Sequence, residues 1–173
     1  MDYLNSLWSS ALSELPKEIK SFVYIEAIYH ICNSIIGILN SSKKISPYFV
    51  SSCLEVDVKF LKSFVSSLGD PNLDEIMLEI HQVMNLLQVD NPVEEYLVPA
   101  IKSKKYSRIS KQLCLSLLEK VRESGVYADQ GSMFMSLSLS PTRENAKEKD
   151  MKAEKKKNVD MVIKALKDDI GRR

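Results

Sequence analysis

The chain has 173 residues, 45% of them hydrophobic, and a formal net charge of +1 at pH 7. This length is sufficient for one domain with a buried core. A charge so close to zero excludes a strong electrostatic preference of the whole molecule for nucleic acid or for an anionic membrane. We therefore expect no nucleic-acid partner.

The first half of the chain predicts two helices separated by Pro16. Residues 3–15 carry an apolar stripe at helical spacing. Residues 16–40 are apolar nearly all the way round except along a line that includes Glu26 and His30, which is typical of a central helix packed on several sides. The same polar side chains would be costly in a bilayer, and residues 1–16 lack the basic start and the continuous apolar run of a secretory signal. We therefore expect a cytoplasmic protein with neither a secretory signal nor a transmembrane segment.

Three cysteines, Cys32, Cys53 and Cys114, lie far apart in apolar helical patterns. They are interpreted as buried reduced thiols, because neither a disulfide framework nor a CxxC metal site fits this spacing. The two histidines, His30 and His81, lie far from each other and are interpreted as ordinary helix-face residues. No metal site is expected.

Residues 54–68 and 73–87 form the unit around which the chain is organised. Both runs repeat apolar residues at a spacing of three and four, which predicts two amphipathic helices. Gly69 can end the first helix, Asp70 can cap the second, and Pro71 fits its first turn. The expected product is an antiparallel helix pair. The first helix is predicted to bury one face formed by Leu54, Val58, Leu61, Val65 and Leu68, widened by Val56, Phe60 and Phe64.

Two serines are predicted to cap helices, Ser46 before Pro47 and Ser110 before residues 111–123. Between residues 99 and 110, four cations surround Tyr106; this segment is interpreted as a solvated loop, with contact to phosphate or to an acidic partner as the alternative. The cations are Lys102, Lys104, Lys105 and Arg108.

The patterns divide the chain into a helical bundle domain at residues 1–124, a linker at 125–142 and a basic amphipathic terminal helix at 143–173. The linker's alternating polar and apolar residues leave an edge strand as the alternative. The fold class is predicted to be an all-α antiparallel bundle of about six helices. Lys155, Lys156 and Lys157 precede the apolar stripe of the terminal helix and are expected to face solvent.

The sequence contains no GxGxxG, Walker A, HExxH, GxSxG or CxxC motif. Its acidic residues fall mostly at helix starts or four residues from a lysine, as Glu55 does with Lys59. We therefore expect a binding module rather than an enzyme, with no catalytic residues, no cofactor and no metal. A site assembled from scattered residues stays open as an alternative.

Four stretches together resemble a known family: LPKEIKSFVYIEAIYHI, LEVDVKFLKSFVSSLGDPNLDEIMLEIHQVMNLL, KKYSRISKQLCLSLLEKVRE and KKKNVDMVIKALK. In this order they are similar to the carboxyl-terminal domain of the Sec-fifteen subunit of the exocyst. The resemblance implies the end of a stacked helical rod in a complex that tethers secretory vesicles during exocytosis.

The resemblance further implies a Rab effector, with GTP-loaded Rab-family GTPases and other exocyst subunits as partners. It implies a cytoplasmic protein that reaches vesicles and plasma membrane sites through its complex, with peripheral rather than spanning membrane association. Two alternatives stay open: a structural segment that binds only neighbouring subunits, and a helical enzyme or regulatory domain with a dispersed site.

The predicted partner surface lies on the first helix of the central pair. If the apolar stripe faces the bundle, Glu55, Lys59 and Lys62 follow one another along the other side. Because interfaces combine apolar anchors with charged rims, we expect four residues to border the Rab-binding patch. This predicted patch consists of Tyr48, Glu55, Lys59 and Lys62.

Overall fold

In a computed structural model of the chain, the structure describes residues 14–124 and 143–171, together with Ser6 and Ser10. The predicted linker at 125–142, with its edge-strand alternative, lies outside the described residues, as does most of the predicted helix at 3–15. All regular secondary structure in the described part is helical, which confirms the all-α bundle. The helices are α1 Lys17–Ser41, α2 Pro47–Phe49, α3 Glu55–Leu68, α4 Pro71–Ile76, α5 Leu78–Gln88, α6 Pro92–Tyr96, α7 Pro99–Lys105, α8 Lys111–Glu123 and α9 Arg143–Gly171.

Helix α5 lies at the centre of the described bundle. It packs against α1, α3, α4 and α8, and against the π-helical turn Val50–Leu54 that joins α2 to α3 without a break. Such a helix is apolar on several sides because each neighbour covers a different stripe. The buried residues of α5 are Ile80, Gln82, Val83, Met84, Leu86 and Leu87.

The turn between α3 and α4 forms as predicted. Gly69 adopts a left-handed conformation with φ of 67°, which a residue without a Cβ reaches at no steric cost. Asp70 accepts a hydrogen bond from the backbone N–H of Asn72 at 3.0 Å, and Pro71 occupies the first turn of α4. The hydroxyl of Ser21 on α1 also donates to Asp70 at 2.5 Å. The cap of α4 therefore ties α1 to the central unit.

The second helix of the central pair is interrupted, contrary to the prediction of one run through residues 73–87. Met77 separates α4 from α5 with φ of −74° and ψ of −10°, which is closer to a turn than to an α-helix. Met77 itself is buried. The apolar spacing continues across the break, so periodicity alone did not detect it.

Helix α3 buries only part of the face predicted for it. Leu54, at the end of the π-helical turn, and the α3 residues Val58, Leu61 and Val65 are buried as predicted. Phe64 is half-buried, but Val56 and Phe60 are 58% and 50% exposed, so their assignment to the core is wrong. At about 100° of rotation per residue, both lie more than 100° from the centre of the buried stripe and point away from α4 and α5.

Helix α1 is not surrounded on several sides, at least in the described part of the molecule. Its buried residues are Ile28, Cys32 and Leu39, on the side that packs against α4, α5 and α8. Phe22 and Tyr29 are exposed. By length and composition α1 is apolar enough to cross a membrane, a test that core helices of soluble proteins also pass. The expectation of no transmembrane segment stays a prediction.

Two of the three cysteines are buried as predicted, and one is not. Burial raises the pKa of the Cys114 thiol to about 12 and that of the Cys32 thiol to about 11. Both therefore stay protonated at neutral pH and behave as small apolar side chains. Cys53 is exposed, because it lies beside Val56 and Phe60 on the outer side of the continuous α2–α3 run.

The terminal helix packs on the bundle through its predicted apolar stripe. Val159, Val162, Ile163 and Leu166 of α9 are buried, and α9 contacts α8 and α6. Ion pairs join Lys167 to Glu119 at 2.7 Å and Arg122 to Asp160 at 3.6 Å, which gives α8 and α9 antiparallel directions. Of the three consecutive lysines, Lys156 and Lys157 are exposed as expected, whereas Lys155 pairs with Asp90 at 3.0 Å.

The predicted serine caps differ in outcome. The Ser110 oxygen accepts from the backbone N–H of Leu113 at 3.1 Å, which confirms this cap of α8. Ser46 occupies the cap position of α2, but its side chain makes no capping hydrogen bond. The backbone boundary at Ser46 was predictable, whereas the side-chain rotamer was not.

Leu61→Ala should lower the free energy of unfolding by about 2–5 kcal/mol, because this residue is 5% exposed and its truncation leaves a cavity. Phe60→Ala is the matched control on the same helix and should cost less than about 1 kcal/mol. Denaturant unfolding monitored by circular dichroism measures both. A larger loss for Phe60→Ala than for Leu61→Ala would contradict the observed orientation of α3.

Candidate partner-binding surface

The predicted patch lies along one side of the continuous run from α2 to α3. Tyr48 is 75% exposed, and Lys59 and Lys62 point into solvent. Glu55 is half-buried and pairs with Lys59 at 2.5 Å, four residues further along the same helix. The fold therefore brings Glu55 and Lys59 together and leaves Tyr48 and Lys62 accessible.

Glu55 is occupied by contacts within the bundle. Besides the pair with Lys59, its carboxylate accepts a hydrogen bond from the Gln88 side chain at 2.6 Å. The bonds from Lys59 and Gln88 hold the pKa of Glu55 below its usual value. Because Gln88 is the last residue of α5, Glu55 links α3 to the central helix and offers less free charge to a partner than its sequence position indicated.

A second apolar stripe runs along the outer side of the same helical run. We call the set Phe49, Cys53, Val56 and Phe60 the apolar stripe; all four are exposed and follow one another at helical spacing. Phe49 is 45% exposed. Sequence reasoning recognised this periodicity but assigned Val56 and Phe60 to the core. The number of apolar positions could have revealed the exposed stripe, because α3 carries more of them than one helix face can bury.

Around the apolar stripe lie a basic side and an acidic side. Lys59 and Lys62 flank it on one side and Asp57, also exposed, on the other. Large exposed aromatic side chains next to lysines are typical of protein-binding surfaces, where the apolar groups supply affinity and the charges supply specificity. Within the described ranges no group of three or more His, Cys, Asp or Glu side chains is placed to hold a metal ion.

The basic segment after residue 99 differs from its prediction. Residues 99–105 form helix α7 rather than a loop, and Tyr106 and Ile109 are buried. Lys102 lies over the ring of Tyr96 with its Nζ 4.3 Å from the centroid. Of the remaining cations, Lys105 pairs with Glu95 at 2.7 Å and Arg108 pairs with Glu75. Three of the four cations thus have partners within the described part of the chain, two of them in surface ion pairs.

Two tyrosines pack at the centre of this region, with ring centroids 5.7 Å apart. The hydroxyl of Tyr106 donates to Glu95 at 2.7 Å, and burial raises the pKa of Tyr106 above its usual value. The hydroxyl of Tyr96 is buried beside the weakly accepting thiol of Cys114 and finds no conventional partner among the described residues. Neither tyrosine is accessible to a ligand.

Gln82 of α5 holds the connection between α7 and α8. Its side-chain oxygen accepts from the backbone N–H of Arg108 at 2.8 Å, and its nitrogen donates to the hydroxyl of Ser107 at 3.1 Å. A buried amide satisfied in this way costs little and fixes the neighbouring backbone. This contact pins the α7–α8 connection to the central helix.

Between α5 and α7 the surface forms a groove of about 480 Å³, lined by Leu78, His81, Gln82, Asn85, Gln88, Val89, Glu95, Lys104 and Lys105. We call it the α5–α7 groove. Burial, and secondarily the positive charge of Lys62, lowers the pKa of His81. The imidazole is therefore neutral at pH 7 and carries one donor and one acceptor.

Stability should fall in acid partly through Glu95. Its bonds to Lys105 and Tyr106 hold the pKa of the folded carboxylate below the unfolded value of 4.5, so this contribution is present above that value and lost as pH falls below it. Glu95→Gln should therefore flatten the loss of stability between about pH 5 and pH 3. Urea unfolding at several pH values measures the effect.

Glu94→Gln is the matched control for Glu95→Gln. Glu94 is the exposed neighbour, and no ion pair involves it within the described ranges. The control should leave the acid limb of the stability curve unchanged. Equal flattening by both substitutions would contradict the role of the Glu95 contacts.

Comparison with known proteins relates the chain to one family. Residues 1–120 match the family described as exocyst complex subunit Sec15 C-terminal. The chain is 30% identical over 122 residues to exocyst complex component sec15 of Schizosaccharomyces pombe, covering 68% of this chain and 16% of that protein. It is 28% identical over 175 residues to exocyst complex component SEC15B of Arabidopsis thaliana, covering 96% and 20%.

Exocyst complex component SEC15A of Arabidopsis thaliana is 29% identical over 178 residues, covering 96% of this chain and 21% of that protein. The chain thus spans about a fifth of the length of these relatives. No solved structure matches it. The family match covers well over half of the chain, including α1 to α7 and most of α8, and confirms the resemblance. The chain belongs to the Sec15 C-terminal family of exocyst complex subunits.

Proposed function

We propose that this chain is a noncatalytic binding domain of a vesicle-tethering exocyst subunit, with other exocyst subunits as partners. It works in the cytoplasm and reaches vesicles and plasma membrane sites of exocytosis through its complex. The names of its relatives, all exocyst complex components, support this proposal. The described surface also favours binding over catalysis, because its most prominent feature is apolar rather than titratable.

We further propose that a GTP-loaded Rab-family GTPase binds the outer side of α2 and α3. The observation that carries this proposal is the apolar stripe, where Val56 and Phe60 are more exposed than core residues of a closed bundle. Side chains of this type desolvate fully only when a partner covers them, and buried aromatic anchors dominate the affinity of protein interfaces.

The predicted patch supplies the rim of this proposed interface. Tyr48, Lys59 and Lys62 border the apolar stripe and stay accessible, so an acidic partner surface would be drawn toward them. Glu55 has a different part in the proposal. It orients Lys59 and ties α3 to α5, and it positions the rim without contacting the partner.

A contact with a neighbouring exocyst subunit is supported by a second surface. Helix α1 exposes Phe22 and Tyr29, and α1 packs its buried side toward α5 just as α3 does. The two exposed apolar surfaces therefore lie on different helices, and each surface points away from α5. A subunit contact on α1 and a GTPase contact on α3 can coexist on one domain.

The combined variant Val56→Ser and Phe60→Ser should weaken binding of the GTP-loaded Rab-family protein by about tenfold or more, because both apolar anchors are lost. Lys59→Glu with Lys62→Glu should instead slow association and reduce its salt dependence. Surface plasmon resonance with a panel of Rab-family proteins, each loaded with GTP or GDP, measures both effects.

The control for this experiment is Phe22→Ser on α1, which should leave GTPase binding unchanged. Circular dichroism establishes that each variant is folded. Equal affinity for the GTP and GDP forms would contradict an effector role. If the Val56→Ser, Phe60→Ser variant bound the GTPase with unchanged affinity, the apolar stripe would not be part of the interface.

A further inference from the structure

The α5–α7 groove has a polar floor with unused hydrogen-bonding groups. Four residues of α5 follow one another along it at helical spacing, Leu78, His81, Asn85 and Gln88. Within the described part of the chain, the side chains of His81 and Asn85 have no hydrogen-bond partner. A neutral imidazole and an amide each offer both a donor and an acceptor, which is the pattern that peptide groups require.

Two lysines on different helices lie at or near this floor. Lys104 of α7 lines the groove, and Lys62 of α3 lies close enough to His81 to lower its pKa, an effect that Asp74 of α4 opposes. Both are exposed, and neither has an ion pair among the residues described. In contrast, Lys59 and Lys105 on the same two helices pair with Glu55 and Glu95.

Glu95, the acidic side chain in the groove lining, is already compensated. It receives bonds from Lys105 and Tyr106, and Glu55 at the Gln88 end receives bonds from Lys59 and Gln88. Near His81 the charges of Lys62 and Asp74 oppose each other, so Lys104 is the cation that gives the groove its excess positive charge. An anion bound on the floor would be attracted by Lys104.

The dimensions of the groove favour an extended chain over a small anion. From Leu78 to Gln88 the floor runs about 15 Å along the axis of α5, at about 1.5 Å per residue. An extended peptide of four or five residues, at about 3.3 Å each, has the same length. Leu78, partly exposed at one end of the floor, offers a contact for one apolar side chain.

We propose that the α5–α7 groove binds a short acidic segment of a partner protein in extended conformation. One of its carboxylates pairs with Lys104, its backbone bonds with His81 and Asn85, and one apolar side chain packs on Leu78. This site is separate from the apolar stripe and from the proposed GTPase interface.

The test is fluorescence anisotropy of the full 173-residue chain with two labelled probe peptides of about eight residues, of which four or five cover the floor and the rest extend beyond its ends. One contains Glu and Asp around a single Leu, and the other has Gln and Asn in place of the acids. The acidic probe should bind more tightly, and Lys104→Glu should weaken it by about tenfold, as expected for the loss of one charge-assisted contact.

The matched control is Lys164→Glu, an exposed lysine on α9 that also lacks an ion pair within the described residues. It carries the same charge change and should leave probe binding within about twofold. Lys104→Glu should also leave binding of the Rab-family protein intact, and Val56→Ser with Phe60→Ser should leave probe binding intact. The groove and the GTPase proposals can therefore fail separately.

Two results would overturn this inference. Equal binding of the acidic and neutral probes would show that Lys104 does not select the ligand. An equal loss from Lys104→Glu and Lys164→Glu would show a general charge effect rather than a site. A supporting result requires charge selectivity together with sensitivity at Lys104 alone.

Discussion

The burial of α5 is the constraint on which the other helices depend. Six of its eleven residues are buried, and each apolar side chain among them stabilises the fold by about 1.5–3 kcal/mol only if a neighbour covers it. α1, α3, α4 and α8 supply that cover, each with one apolar stripe. The same stripes also pack α1 against α4 and α8, and α8 against α9. Apolar residues of α1 and α3 outside these stripes, such as Phe22 and Val56, are exposed.

Hydrogen bonds of polar side chains then fix the positions of these helices relative to one another. Gln82 binds the α7–α8 connection, Gln88 binds Glu55 of α3, and Asp70 joins the cap of α4 to Ser21 of α1. Apolar packing tolerates small sliding of one helix along another, whereas a hydrogen bond has a narrow distance range. These hydrogen bonds occupy charged groups near the core such as Glu55 and Asp70, whereas Lys62 and Lys104, further out, have no ion pair among the described residues.

The sequence predicted correctly those features of the fold, turns and helix caps, that depend on a few adjacent residues. Gly69, Asp70 and Ser110 were assigned correctly because a left-handed turn or a cap depends on a few adjacent residues. The side of α3 that reaches the core was predicted only in part, because Val56 and Phe60 fit the helical period as well as Leu61 does. The groove was missed altogether, since it joins residues of three helices and no linear pattern records that proximity.

The difference between the two stripes of α3 also bears on function. The buried stripe is already covered by other helices in the isolated chain. The exposed stripe leaves apolar area in contact with water, and covering that area with a partner is favourable. α1 and α3 both retain such area on the sides that face away from α5. Contacts at separate surfaces that share no residues are energetically independent unless the helices between them move. Since α5 is held from several sides, we expect binding at one surface to leave the other unchanged, which is the behaviour expected of a domain that connects partners rather than switching between them.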